Sequence, residues 1–366
     1  MWILIAPDKF KGTLSAREVA EAIVAGLREI LPEPKIDIVP MADGGEGTVE
    51  VISQALGASW VQCKAHDSLG REIQARYGWI KKRKLAVMEM SETAGMRRLR
   101  PKELNPEIAT TFGVGQMISD ASKRGANEII IGLGGSATND GGFGMARALG
   151  FRFFERKKEI ENVSNLATLK RIEKPKKLEL PKIIAAVDVK NPLLGKNGAT
   201  QVFGPQKGGT AEQLEKLERA LTRLANVVAE QFGFHHRNEA GAGAAGGLGF
   251  GLMSFCGARI RPGFDVVAES VGLEAKMKDV DLVITGEGSL DRQTLEGKTP
   301  AGVASVARKL GKRVFALVGR VSEDRQVREL FDGIYQNARA GMSTEENMKH
   351  AAELLRENAR ELAKNL

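Results

Sequence analysis

The chain has 366 residues, of which 42% are hydrophobic and 27% charged, the composition of a globular protein with a large core. Its net charge of +8 suits anionic ligands, but the basic residues are scattered and aromatic residues make up only 5%, so no nucleic-acid partner is expected. The two cysteines are too few for a disulfide framework or a zinc cluster, and no apolar run approaches the roughly 18 residues of a membrane span, so we expect a soluble, cytoplasmic protein without a membrane partner.

Two strand–loop–helix units are predicted in the first part of the chain. The apolar run 2–6 predicts a buried strand, and a capping box of Ser15 and Glu18 opens a helix over 16–31. A short strand over 36–39, the loop MADGGEG and a helix over 48–56 follow. Repeated units of this kind are typical of a parallel sheet.

The middle of the chain has a different character. The segments 74–80 and 85–90 predict an antiparallel hairpin with the charged tip KKRK, whereas 150–182 is charged and irregular. Later strands are predicted over 281–285, 313–318 and 333–335. A crossover helix is predicted over 301–310, between the first two of these strands, and a last helix over 343–364.

These elements predict an α/β protein of two domains. One is a discontinuous Rossmann-like domain with a parallel sheet, formed by 1–65 plus 285–366. The other is an inserted second α/β domain with a mixed sheet over 66–284. We expect the active site in the cleft between them.

The most informative segment is the glycine-rich loop IIIGLGGSATNDGGFG at 129–144. A strand, a glycine loop and a helix in this order predict an anion site, because glycine lets backbone N–H groups approach a phosphate and the helix N-terminus adds positive charge. Gly132, Gly134 and Ala137 also match a dinucleotide fingerprint, with Glu155 at the spacing of the ribose-binding acid. An NAD(P)-dependent dehydrogenase of a small hydroxy acid is therefore an alternative, although the loop is more polar than a pyrophosphate turn requires.

Further segments, together with this loop and GAGAAGGLG, resemble the type 1 glycerate kinases in collinear order: APDKFKGTLSA, PMADGGEGT, FGPQKGG and VITGEGSLDRQTLEGKTP. The resemblance extends from Pro7 to about Gly302 and so covers most of the chain. It implies transfer of the γ-phosphate of ATP to D-glycerate with Mg²⁺, and it favours 2-phosphoglycerate over 3-phosphoglycerate as the product. A non-catalytic nucleotide sensor is the alternative from another functional class, and both a monomer and a homodimer stay open.

Carboxylates at predicted strand ends, cations beside glycines and the resemblance together nominate the site residues. The predicted catalytic residues are Asp188, Lys11 and Asp291. The predicted substrate-binding residues are Arg71, whose guanidinium fork matches a carboxylate, and Asp43, Gly44, Gly45 and Lys207. The predicted ATP and phosphate contacts are Gly134, Gly135, Ser136, Ala137, Thr138, Asn139, Asp140 and Lys298. The predicted metal ligands are Asp43, Glu46 and Glu287.

Overall fold

The computed structural model describes the backbone of residues 1–366 and every side chain except that of Glu296. The chain divides into two compact units. The first unit comprises Met1–Asp43, Glu50–Leu56 and Pro262–Leu366, and the second comprises Gly44–Val49 and Gly57–Arg261.

The strands, in chain order, are β1 (Trp2–Ile5), β2 (Lys35–Ile38), β3 (Ser59–His66), β4 (Glu72–Ile80), β5 (Leu85–Glu89), β6 (Glu128–Gly132), β7 (Arg152–Glu155), β8 (Lys158–Glu159), β9 (Arg171–Glu173), β10 (Lys182–Ala186), β11 (Arg259–Arg261), β12 (Leu282–Thr285), β13 (Ser289–Leu290), β14 (Arg313–Val318), β15 (Arg320–Val321) and β16 (Gly333–Gln336). The helices are α1 (Ala16–Arg28), α2 (Thr48–Leu56), α3 (Ser91–Ala94), α4 (Phe112–Lys123), α5 (Phe143–Ala148), α6 (Ala199–Phe203), α7 (Ala211–Phe232), α8 (Ala244–Cys256), α9 (Gly263–Val271), α10 (Leu273–Met277), α11 (Thr299–Lys309), α12 (Arg325–Arg328), α13 (Thr344–Lys349) and α14 (Ala351–Lys364). Short 3-10 helices lie at Lys81–Arg83, Met96–Arg98, Pro101–Glu103, Val163–Thr168, Pro205–Lys207, His236–Asn238 and Arg292–Glu296.

The first unit is built on a five-stranded parallel sheet of order β16-β14-β12-β1-β2. Its central strands β1, β12 and β14 are mainly apolar, which is expected of parallel strands that helices cover. The prediction of a buried strand from the apolar run 2–6 is confirmed. The helices α1 and α14 approach so closely that a Cβ at Gly26 would lie 2.2 Å from the carbonyl oxygen of Arg356. The predicted last helix is divided at His350 into α13 and α14.

The second unit contains a six-stranded mixed sheet of order β11-β10-β6-β5-β4-β3. The pairs β3–β4 and β4–β5 are antiparallel, whereas β5–β6, β6–β10 and β10–β11 are parallel. The predicted hairpin of β4 and β5 is confirmed. The prediction that 150–182 is irregular is wrong, because β7 pairs there with β8 and β9 in a small antiparallel sheet. The guanidinium groups of Arg152 and Arg171 lie over the ring of Phe154 in that sheet.

The unit boundaries differ from those predicted at 65/66 and 284/285. The strand β3 is hydrogen-bonded to β4 along its whole length, so 59–65 belongs with the second unit. The strand β12 pairs with β1 and β14, so 282–284 belongs with the first. Among the helices that the structure describes, none is long and apolar enough to cross a membrane.

Candidate active site

Acidic side chains follow neighbouring parallel strands of the first unit. Asp8 lies just after β1, Asp43 beyond β2 and Glu287 just after β12, so all three belong to the carboxyl-end edge of one sheet. Asp8 is 4% exposed and accepts hydrogen bonds from the backbone of Lys9 and the hydroxyl of Thr299, each at 2.6 Å. Burial raises the pKa of Asp8 to about 6, and the negative charge of Asp43 adds to the rise.

The carboxyl group of Glu287 is the least satisfied member of this edge. Its Oε1 lies 3.7 Å from Nζ of Lys298, while its Oε2 is buried and has no hydrogen-bond partner among the described residues. Burial raises the pKa of Glu287 to about 7 although Lys298 opposes the rise, and Asp8 and Asp43 add to it. A bound cation would relieve this mutual repulsion.

The arrangement of these carboxylates suits a partly hydrated Mg²⁺ ion better than a metal ion that is enclosed by protein ligands alone. No group of three or more His, Cys, Asp or Glu side chains in the described part of the chain could by itself enclose a metal ion. Mg²⁺ is commonly held by one or two carboxylates while water and substrate phosphates complete its octahedron. The unpartnered Oε2 of Glu287 and the clustered charges fit that mode of binding.

The other predicted residues of the first unit have different surroundings. The predicted metal ligands Asp43 and Glu287 lie in this unit, whereas Glu46 lies in the second. Asp291 caps the 3-10 helix that follows it, since its Oδ1 accepts from the backbone N–H of Gln293 at 2.9 Å. Lys11 is exposed, and Lys298 is directed towards Glu287 at the start of α11.

The glycine-rich loop after β6, in the second unit, has an exposed head, Gly134 and Gly135, and a buried base, Ser136 to Asp140. Gly134 is partly exposed and Gly135 is exposed, whereas Ser136 to Asp140 are buried. Within the base, the hydroxyl of Thr138 and Oδ1 of Asn139 are buried without a hydrogen-bond partner in the described structure. Of the predicted phosphate contacts in this loop, only the two glycines of the head are accessible to a ligand as the loop stands.

The N-terminus of α5 is not the open anion site that the sequence predicts. Asp140 is fully buried, and its carboxylate accepts from the backbone N–H groups of Gly142 and Gly144 at 3.0 Å and of Thr111 at 2.8 Å. The Thr111 hydroxyl donates to Asp140 and accepts from Met145 N. The protein's own carboxylate therefore occupies the position that a phosphate would take, because it satisfies the first N–H groups of the helix.

Two glycine loops of the second unit pack against each other. A Cβ at Gly132 would lie 2.5 Å from the carbonyl oxygen of Gly44, and one at Gly134 would lie 2.6 Å from Cα of Gly45. The glycines of the apparent dinucleotide fingerprint thus allow the loop MADGGEG to pack closely against the glycine-rich loop. Glu155 ends β7 in the small antiparallel sheet rather than the next parallel strand, so the context of a dinucleotide fold is missing here.

Sequence reasoning missed Glu89, which holds the MADGGEG loop in place. Glu89 is 4% exposed, and its Oε1 accepts from the backbone of Gly47 at 2.8 Å and of Val49 at 3.3 Å. Its Oε2 accepts from the Ser91 hydroxyl. The available signal was a glutamate at the end of the otherwise apolar strand LAVME. Asp8 was missed too, although it lies three residues after the end of β1.

The predicted substrate ligand Arg71 and the predicted catalytic residue Asp188 both belong to the second unit. The guanidinium group of Arg71 binds the carboxylates of Asp67 and Glu103 and the carbonyl oxygen of Arg98, so its fork is already engaged within the protein. Asp188 is partly exposed and stands two residues beyond the end of β10, as predicted.

Carboxylates at the carboxyl-end edge of a parallel sheet and glycine loops after parallel strands are typical of α/β proteins that bind small-molecule ligands at such edges. The model of the glycerate kinase family matches residues 3–366, and the chain belongs to this family. A glycerate kinase of Halalkalibacterium halodurans is 40% identical over 99% of this chain and 97% of its own length. The glycerate 2-kinase of Escherichia coli is 41% identical over 88% of this chain and 86% of its own.

The structural comparison agrees with these relatives. The crystal structure of a protein assigned as glycerate kinase 2 from Salmonella typhimurium LT2 matches with a TM-score of 0.87 and 41% identity, covering 100% of this chain and 98% of the other. The predicted resemblance, the α/β fold class and the enzyme class are confirmed. The dehydrogenase alternative has no support among these relatives.

Proposed function

We propose that this protein transfers the γ-phosphoryl group of ATP to a hydroxyl group of D-glycerate in a Mg²⁺-dependent reaction. The observation in the structure that supports the proposal best is the set of mutually repelling carboxylates Asp8, Asp43 and Glu287. Phosphoryl transfer depends mainly on positioning and on charge stabilisation, and a carboxylate edge that favours a divalent cation meets that need. The name of the E. coli relative, glycerate 2-kinase, supports the 2-hydroxyl as the acceptor and 2-phosphoglycerate as the product.

Mg²⁺ would be held by Glu287 and Asp43, with Asp8 as a charged neighbour. When bound, it would neutralise charge on the phosphate oxygens of ATP. Lys298, whose Nζ lies 3.7 Å from the Glu287 carboxylate, would limit the negative charge that this edge presents in the absence of metal. Glu46, the third predicted ligand, already lies 3.6 Å from the guanidinium group of Arg97.

In the second unit, we assign phosphate binding to the exposed head of the glycine-rich loop, Gly134 and Gly135. The buried base of that loop acts indirectly, because Asp140 holds it against Thr111 and α5. We assign the binding of D-glycerate to the backbone of Gly44 and Gly45. Glu89 keeps the loop that contains these glycines in position.

Asp188 is the proposed proton acceptor. In the reaction, the substrate hydroxyl oxygen forms a bond to the γ-phosphorus, the bond from that phosphorus to the oxygen of ADP breaks, and the hydroxyl proton passes to the Asp188 carboxylate. Arg71 would have to exchange Asp67 or Glu103 for the glycerate carboxylate before it could grip the substrate. We therefore infer that Arg71 contributes less to binding of the glycerate carboxylate than its sequence context suggests.

A coupled assay of ADP release tests the proposal. The purified protein with ATP and Mg²⁺ should release ADP when D-glycerate is added, and phosphorus NMR of the product should show a phosphate ester on the 2-hydroxyl. D-lactate, which has the configuration of D-glycerate at the 2-hydroxyl carbon but no 3-hydroxyl, and glycolate serve as comparison acceptors. ADP release that does not rise above an ATP-only blank would reject the kinase and leave the nucleotide-sensor alternative.

A further inference from the structure

A lysine ammonium group is buried beneath the glycine-rich loop of the second unit. Lys207 ends the 3-10 helix Pro205–Lys207, and only 1% of the residue is exposed. Its Nζ donates a hydrogen bond of 2.7 Å to the backbone carbonyl of Thr138. The chain after it is fixed as well, because Gly208 has a φ of +84° and a Cβ there would lie 2.6 Å from the carbonyl oxygen of Leu104. Lys207 therefore has little freedom to turn towards a ligand.

The charge of this ammonium is poorly matched by its surroundings. The acid that interacts with it electrostatically is Asp140, whose carboxylate is already occupied by Thr111, Gly142 and Gly144. Burial lowers the pKa of Lys207 to about 7, and Asp140 only partly opposes that fall. An apolar side chain of similar size would avoid this desolvation penalty.

The carbonyl that Lys207 contacts lies at the centre of the loop base. A Cβ at Gly246 would lie only 1.9 Å from the Thr138 carbonyl oxygen, and Gly141 N donates to the carbonyl of Gly246 at 3.0 Å. The Thr138 carbonyl is thus held between the lysine ammonium and the backbone of GAGAAGGLG. The exposed head of the loop, Gly134 and Gly135, continues directly from this fixed base.

We propose that Lys207 is a positioning residue for the nucleotide phosphates, which acts by fixing the Thr138 carbonyl and placing positive charge beneath the loop base, rather than a residue that touches glycerate. This inference rests on the proposed kinase function. Its consequence is a conflict between stability and activity. Removal of the ammonium should relieve a buried charge and at the same time weaken the use of ATP.

The experiment compares the wild-type protein with Lys207→Met, which keeps the length and apolar part of the side chain, and with Lys182→Met as the matched control. Lys182 belongs to the same unit and makes one ion pair, with Glu128 at 2.9 Å, but it is exposed. Melting temperature, the thermal shift with Mg²⁺-ATP, and kcat and KM for both substrates are measured for each protein. Lys207→Gln, which keeps a donor without the charge, is measured in the same way and replaces Lys207→Met if that variant does not fold.

Lys207→Met should melt at or above the temperature of the wild type. Its KM for ATP should rise at least about tenfold, because the loop would lose both its fixed base and a nearby positive charge, and its thermal shift with Mg²⁺-ATP should shrink. Its KM for glycerate and all properties of Lys182→Met should stay near wild-type values. A selective rise of the KM for glycerate would overturn the proposal in favour of direct substrate contact. A lower melting temperature with unchanged kinetics would overturn it in favour of a purely structural role. If the wild type itself fails to phosphorylate glycerate, the proposed function fails, while the thermal shifts with Mg²⁺-ATP still decide the role of Lys207.

Discussion

Replacing Glu287 by glutamine should remove a pH dependence of folding stability in the metal-free protein. The pKa of Glu287 rises from 4.5 to about 7 on folding, because burial outweighs the attraction of Lys298. The native state therefore binds this proton more tightly than the unfolded state does. The resulting stabilisation is fully present below about pH 4.5 and is lost as the pH rises through about 7.

The expected size follows from the same two pKa values. Raising a pKa from 4.5 to about 7 corresponds to about 3 kcal/mol, at about 1.4 kcal/mol for each pH unit. The Glu287 side chain is only 18% exposed, so solvent screens little of this effect. At pH 5 the protonated acid and the amide are both neutral, and the two proteins should differ by less than about 1 kcal/mol. At pH 8 Glu287→Gln should be the more stable protein by about 2–3 kcal/mol.

Urea unfolding in EDTA at pH 5 to 8, monitored by circular dichroism, measures this difference. Glu274→Gln is the control, since Glu274 belongs to the same unit and makes an exposed ion pair with Lys309. Because the ion pair that this substitution removes is exposed, it should change the free energy of unfolding little. Parallel curves for Glu287→Gln and the wild type would show that the Glu287 carboxyl group is not desolvated, and the argument for a cation at this edge would lose its basis.

Three further substitutions test the loops and the proposed proton acceptor. Gly134→Ala should lower kcat/KM at least about tenfold and the free energy of unfolding by about 1–3 kcal/mol, because the new Cβ would lie 2.6 Å from Cα of Gly45. Gly125→Ala, where the methyl would meet no described atom within 4 Å but φ is +85°, should lose about 1 kcal/mol through backbone strain alone and keep full activity. Ala245→Gly should raise the free energy of unfolding by about 0.5–1 kcal/mol in thermal or urea denaturation, because Ala245 has a φ of +53°. Asp188→Asn should reduce kcat by about 10² to 10⁴ with little change in the KM for ATP, and a near-normal kcat would exclude Asp188 as the base.

The fold was predictable where the apolar pattern is strong and local. The helix Thr48–Leu56 and the strand Arg313–Val318 have their predicted bounds. The strand Ser59–His66 was not predicted, because its inward-facing side chains, such as Cys63 and Ala65, are small and their partners lie on β4. Its eight-residue pairing is a non-local property that a short window cannot contain. This strand also explains the misplaced boundary at residue 65.

The site was only partly predictable, for a different physical reason. The sequence indicates which loops are rich in glycine and carboxylate, but not which polar groups the protein satisfies internally. Asp140 and Glu287 looked equivalent as acids near strand ends. In the structure, Asp140 accepts hydrogen bonds from Thr111, Gly142 and Gly144, whereas Oε2 of Glu287 has no described partner. That difference depends on Thr111, which lies 29 residues away along the chain.

The most informative residues are therefore those whose charge the protein leaves unmatched. In the first unit, Glu287 has a negative charge that burial disfavours, and a divalent cation would offset it. In the second unit, Lys207 has a positive charge that burial disfavours, and a phosphate bound above the loop would offset it. Each unmatched charge destabilises the unit that contains it, so neither is explained by folding alone. A ligand of opposite charge that binds only the native state would recover that stability by mass action. The proposed ligands Mg²⁺ and ATP would supply these two charges, so the two buried groups are both consistent with the proposed reaction.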